Sequence, residues 1–358
     1  MRLSTDEIQH LRTGAMFLAC CPDPEWCDEQ TARIVSYMAR SGESPDLVEV
    51  TDLPADALVV SLGYVNNGLP LSDLRPVGDE FSTSLELVED ALGQKVSGIM
   101  PLAGANINAL VPAMTALQLG IPVVDADPMG RVFPLLYQSV FTLAGLPAGP
   151  VGATGPNGES ALLDVENPLR AERLVRALAG EFGGWSATAL YPMTARLLHE
   201  HGILGSVSRM IRIGRVLNAA ISVPEKHAEL RRAEGVRRII RARVSDTAGI
   251  SRPAPPGQPD NPSTVVLIEE SQGRIVQIEI QNELLLLLVD GDVIAAVPDI
   301  ITMLRPEDGS VASLNDLWVG NQLDIVVLPA PAQWYAPAAV DLVGPAALHV
   351  WLQTRGRK

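Results

Sequence analysis

Between residues 6 and 17 the apolar side chains Ile8, Leu11, Met16 and Phe17 recur at a loosely helical spacing. Thr5 stands where its hydroxyl would satisfy an orphan backbone NH of the first turn. A loop with two prolines, Pro22 and Pro24, separates this run from a second helical one over 28–40. Residues 47–50 and 58–62 read as strands, the latter closed by Gly63. A helix over 85–92, a strand over 98–100 and a helix over 108–119 follow. After Gly120 and Pro122, residues 123–127 form a strand whose C-terminal end carries Asp125 and Asp127. Strands alternating with helices of about a dozen residues predict an α/β domain with a mainly parallel sheet covered on both faces.

The second half changes character. Short β-like stretches at 141–143 and 160–164 flank Gly- and Pro-rich turns, and helical periods return over 168–182 and 206–220. From about Arg237 the pattern alternates with period two, and 265–269 and 275–280 form a hairpin through Ser271, Gln272 and Gly273. Further strands are expected at 293–297, 300–304 and 323–328. Many short strands joined by turns predict a β-barrel-like domain. The Pro-rich run 251–260 cannot hold a ladder and reads as an exposed insertion. The expected division is an α/β domain over 1–165, a helical segment over 166–236 returning to it, a β-barrel-like domain over 237–330 and a tail over 331–358.

Composition narrows the function. Of 358 residues, 47% are hydrophobic, enough for sizeable cores and too many for a disordered chain. A net charge of -15 repels phosphate backbones and anionic lipid, and 4% aromatic residues leave little for base stacking. Nucleic-acid and membrane roles are therefore not expected, and a small-molecule substrate is. Three cysteines, Cys20, Cys21 and Cys27, leave an odd count that fits a reducing cytoplasm. A homo-oligomer is expected only from the general abundance of such assemblies.

The chemistry concentrates around Asp125, Asp127 and Arg131. Ligands of open parallel sheets bind beyond the carboxyl ends of strands, and residues two apart on a strand share a face. Two close carboxylates can divide acid and base roles or hold a divalent cation, and the cofactor is left open on that account. Arg131 can offer a bidentate donor, or it can simply pair with Asp125 while Asp127 caps a turn. Asn106 and Asn108 lie in a small-residue turn after the third strand, where Asn108 could equally be an ordinary helix cap. Cys20 or Cys21 could act as a nucleophile, against the plainer reading of small apolar packing. His199 and His201 are two apart on a helix, so they face different ways and cannot chelate together. Gln281, Asn282 and Asp299 offer amide and carboxylate groups near strand ends, each a weak signal alone.

Taken in order, the stretches 124–134, 189–194 (Ala-Leu-Tyr-Pro-Met-Thr), 280–282, 297–300 and 328–331 resemble the S-methyl-thiohydantoin desulfurase family from Leu11 to about Leu348. That family is associated with hydantoinases. The resemblance implies a three-layer α/β domain followed by a β-barrel, and hydrolysis of a carbon–sulfur bond on a hydantoin-like ring with release of a thiol. It carries over Asp125, Asp127, Met129, Gly130, Arg131, Asn108, Tyr191, Gln281, Asn282 and Asp299, and it matches Asp23 with Pro24. The chain departs from the family at five places. Ala19 to Pro24 stand for a Gly-rich loop, Ala103 for a glutamate, Ala105 and Asn106 for glycines, and Pro128 and Leu135 for a glycine and an acid. Catalysis is expected from Asp127, Asp125 and Asp23, and substrate binding from Arg131, Asn106, Asn108, Tyr191, Gln281, Asn282 and Asp299. The alternative is a catalytically degenerate binding or scaffold subunit that partners a hydantoinase-type enzyme.

Overall fold

The computed structural model describes residues 1–19, 24–66, 78–247, 263–281 and 283–348. The chain divides into two units, Met1–Ala15 with Asp23–Arg215, and Met16–Pro22 with Val216–Lys358. From the N-terminus it runs α1 (Thr5–Leu18), α2 (Pro24–Ser41), β1 (Leu47–Val48), β2 (Leu58–Asn66), α3 (Glu80–Leu92), β3 (Gly98–Pro101), α4 (Val111–Leu119), β4 (Val123–Val124) and β5 (Ala126–Asp127). It continues through α5 (Val140–Leu143), β6 (Val151–Thr154), β7 (Ser160–Leu163), α6 (Pro168–Glu181), β8 (Trp185–Thr194), α7 (Ala195–His201), β9 (Ile203–Leu204) and α8 (Ser206–Asn218).

The first unit is built on a seven-stranded sheet in the order β1-β4-β3-β2-β8-β6-β7. The four strands of the alternating region pair in parallel, as their helical crossovers require. The expectation of a mainly parallel sheet is corrected here: β8 runs antiparallel to both β2 and β6, and β6 forms an antiparallel hairpin with β7, so the sheet is mixed. The reason is local. The β6–β7 hairpin needs only a tight turn, and β8 falls in the break between the helical periods 168–182 and 206–220, inside the segment 166–236 expected to be helical. Helix α3 lies against β6 and β8, α6 against β8 and β2, and α4 against β3.

Several local expectations shift for identifiable reasons. The cap of α1 is Ser4 rather than Thr5: its hydroxyl accepts the Glu7 NH, and the Glu7 carboxylate accepts the Ser4 NH in return. Gly63 does not end β2. It lies inside the strand, where glycine lets Leu102 pack close: a Cβ there would come within 2.6 Å of the Leu102 side chain. Residues 140–143 are helical rather than extended, since the Ser139 hydroxyl caps the turn by accepting the Thr142 NH.

The second unit contains α9 (Val223–Glu234), β10 (Arg238–Asp246), β11 (Ser263–Glu269), β12 (Ile275–Ile280), β13 (Leu284–Val289), β14 (Asp292–Ala296), β15 (Ile300–Leu304), β16 (Gln322–Leu328) and α10 (Pro337–Val343). The seven strands form one curled antiparallel half-barrel, in the order β14-β13-β12-β11-β10-β16-β15. Alternation explains its core: Ile240, Ala242 and Val244 point inward from β10, meeting Leu267, Ile278, Leu287, Met303 and Ile325. Asp324 faces away from that core, almost fully buried, and both of its oxygens accept Arg241 guanidinium donors at 2.8 Å. The Pro-rich run 251–260 lies outside the described residues. Among the described residues no helix is long and apolar enough to cross a membrane.

Candidate active site

The first unit gathers its polar groups where β4 ends. Residues 123–127 do not form one strand. The Asp125 NH still donates to Val48 in the main sheet, but its carbonyl accepts the Gly205 NH, and β5 pairs with β9 in a separate two-stranded ribbon. That ribbon delivers the chain into α8. The Asp125 carboxylate caps this helix, accepting the Ser208 NH at 3.0 Å and also the Ser208 hydroxyl. Such a cap is satisfied by negative charge at a helix N-terminus.

Asp127 is fully buried. Its Oδ1 accepts the NH groups of Met129 and Gly130, each at 2.5 Å, in a tight turn that Gly130 completes with φ 63°. Its Oδ2 has no hydrogen-bond partner and faces Gly104, where a Cβ would come within 2.4 Å of it. Burial pushes this carboxyl up to about 6, while Gly130, the Ser206 hydroxyl, Met129 and Gly104 pull in the opposite direction. The Ser206 hydroxyl and Gly104 NH are near enough to favour the anion, yet neither makes a hydrogen bond of normal geometry to it. Ser206 Oγ is itself buried without a hydrogen bond. A carboxyl in this state can exchange a proton close to neutral pH.

The turn after β3 lies beside Asp127. Asn106 has φ 54° and ψ -157°, a region that glycine occupies almost exclusively. It is held there by its NH, which donates to Ala15, and by its side-chain oxygen, which accepts the Cys27 thiol at 3.2 Å. The expected glycine near this position agrees with the backbone found. Asn108 is not the cap of α4; its side-chain oxygen accepts the Tyr64 NH at 2.7 Å and ties the turn to β2.

Arg131 has no exposed surface. Its guanidinium lies 4.7 Å from the Phe133 ring centroid, and Nε donates to the Val132 carbonyl. Tyr191 is also fully buried, at φ 51° on β8, where the β2–β8 register shifts. Its hydroxyl donates to the Leu136 carbonyl and meets the hydroxyls of Ser139 and Thr142. Burial raises its pKa, so it is a neutral anchor for the segment after Arg131. A second anchor comes from α6. Glu172 accepts the Leu136 NH and pairs with Arg176 at 2.5 Å, and Arg176 donates to the carbonyls of Pro134 and Asn66.

Asp125, Asp127, Arg131, Asn106, Asn108 and Tyr191 thus all belong to the first unit. Gln281 and Asp299 belong to the second. Gln281 starts the turn from β12 into β13, and its NH donates to Glu283. Asp299 binds Arg237 at 3.0 and 3.2 Å and the Tyr335 hydroxyl, pinning the turn Ala332–Tyr335 beside β15. Asp23, Cys20, Cys21 and Asn282 lie outside the described residues. Among the described residues, no group of three or more His, Cys, Asp or Glu side chains is placed to hold a metal ion. Sequence reasoning passed over Ser206, Ser208, Glu172 and Arg176. The i,i+4 spacing of Glu172 and Arg176 was a readable signal, whereas nothing in the sequence links Ser206 to Asp127.

Comparison with known proteins divides the chain earlier, between 165 and 166, so that Glu172, Tyr191 and Ser206 fall in the second matched region although they belong to the first unit. The profile described as S-Me-THD-like, N-terminal domain, matches residues 6–165, and S-Me-THD-like, C-terminal domain, matches residues 166–354. No curated protein matches the chain. One solved structure, the X-ray crystal structure of a protein from Chromobacterium violaceum, is 21% identical over 95% of both chains with a TM-score of 0.72. At that identity the likeness concerns the fold alone.

Proposed function

The chain belongs to the S-Me-THD-like family, and from that premise we propose that it hydrolyses a small cyclic amide or thioamide, cleaving the C–S bond of an S-methyl-thiohydantoin-like ring. The observation that carries this reading is Asp127: one oxygen is fixed by two NH groups, and the other is buried without a hydrogen bond. In the proposed reaction water attacks the ring carbon bearing sulfur as Asp127 takes its proton. The C–S bond then breaks, the electron pair leaves on sulfur, and Asp127 returns the proton to the thiolate. The products are a ring carbonyl and a thiol, and no other reactant is consumed. A pKa of about 6 suits a group that must both accept and donate within one cycle. Arg131 and the Asn108 turn would stabilise negative charge developing on the ring. Because Asp127 and Arg131 are fully buried, the turn after β3 must part from the 128–139 segment as the ring enters.

The same burial favours a second reading, a degenerate binding subunit that partners a hydantoinase-type enzyme. Thiol release from S-methyl-thiohydantoins, and ring opening of hydantoins, by the purified protein separates the two. Turnover that falls by about 100-fold or more in Asp127→Asn supports the hydrolase. Absence of turnover across the ring panel, together with tight association with a hydantoinase-type protein, supports the binding subunit.

A further inference from the structure

The first unit contains a cavity of about 630 Å³ between α2, α4 and the start of α3, within the range of small-molecule sites. None of its lining residues belongs to the Asp127 site. Its inner wall is aromatic: the Tyr64 ring meets Phe81 edge-on at 4.8 Å and Trp185 at 5.0 Å. This fixes a rigid apolar surface, with Tyr64 and Phe81 lining the space. On α4, Gln118 donates its amide NH to the Gly78 carbonyl at 2.6 Å, which leaves its buried Oε1 without a hydrogen bond. A buried acceptor of that kind selects for a ligand that brings an N–H or O–H. On α2, Arg40 is held one turn from Ser36 by a 3.1 Å hydrogen bond to its hydroxyl, so a guanidinium and a hydroxyl stand together at the rim. That pair suits a carboxylate. Asp79 and Glu80 also line the cavity and oppose a ligand of high negative charge such as a phosphate ester.

We propose that this cavity binds a small apolar α-amino acid, with its carboxylate at Arg40 and Ser36, its ammonium toward Gln118, and its side chain against Tyr64 and Phe81. The site is separate from Asp127 and does not depend on the hydrolase reading.

The test is calorimetric titration of the full-length protein with phenylalanine, leucine and methionine. Each is paired with the amine lacking the carboxylate and the acid lacking the amine. The amino acids are expected to bind below about 10 mM, with either deletion weakening binding about tenfold or more. Arg40→Gln, at an exposed position, is expected to weaken amino-acid binding by a similar factor, and Gln118→Leu likewise, with unchanged circular dichroism. Asp127→Asn is expected to leave the affinity unaltered. The proposal is overturned if none of the three amino acids binds, if the amine or the acid binds as well as the parent, or if Arg40→Gln changes nothing. Loss of binding in Asp127→Asn would also overturn it, by merging this cavity with the other site.

Discussion

Asp127 shows how one residue's surroundings set both chemistry and stability. Its carboxyl rises from an ordinary 3.8 to about 6, chiefly because burial penalises the anion. A raised folded-state pKa means that the folded protein binds this proton more tightly than the unfolded chain. The contribution is complete below pH 3.8 and is lost as pH climbs through 6, a difference of roughly 3 kcal/mol. Asp127→Asn removes that titration. Urea denaturation at pH 4 and pH 7 should therefore show wild type losing about 2 kcal/mol relative to the variant between the two, since at pH 4 the unfolded carboxyl is already partly protonated. Equal pH dependence in both proteins would mean that Asp127 is not held as the geometry indicates. Asp127 was legible in the sequence from its place at a strand end, but its burial and its neighbour Ser206 were not, since the two stand 79 positions apart in the chain. Asn106 is the converse case. Its residue type predicted a substrate contact, the family resemblance placed a glycine near it, and the backbone adopts a glycine-type conformation.

At the level of elements, the strand 123–127 was correctly placed and wrongly continued. Val123 and Val124 pair with their sheet neighbours, but Asp125 turns to cap α8, and the resulting bend separates the two carboxylates into different tasks. A period-two pattern records which residues want burial, not which partner satisfies a carboxylate. The segment between Arg131 and α5 is irregular and gains its order from outside, through Tyr191 and the Glu172–Arg176 pair. Tyr191→Phe keeps the buried ring and removes only the hydroxyl shared by Leu136, Ser139 and Thr142. A loss of about 1–3 kcal/mol in urea denaturation is expected, with faster amide exchange over 136–142. Unchanged stability and exchange would show that the hydroxyl does not anchor this segment.

For the whole molecule the dominant long-range term is the net charge of -15. Like charges repel more in the compact state than in the unfolded chain, and salt screens them within about 10 Å at 0.1 M. Surface pairs such as Arg243–Glu270 are weakened by the same salt, but each contributes little. Raising sodium chloride from about 10 to 200 mM should therefore raise the Tm by a few degrees in a thermal scan. A fall would indicate that the ion pairs outweigh the repulsion. The amino-acid sequence by itself determined the two kinds of architecture, because helical and strand periods are written into neighbouring residues. It also marked Asp125, Asp127 and Arg131 as candidates for the chemistry, from residue type and place at a strand end. Tertiary structure alone decided that the first sheet is mixed, that Asp125 caps a helix and that Asp127 is sealed beside Gly104. Strand direction, hydrogen-bond partners and desolvation depend on residues far apart in the chain, and folding brings those together.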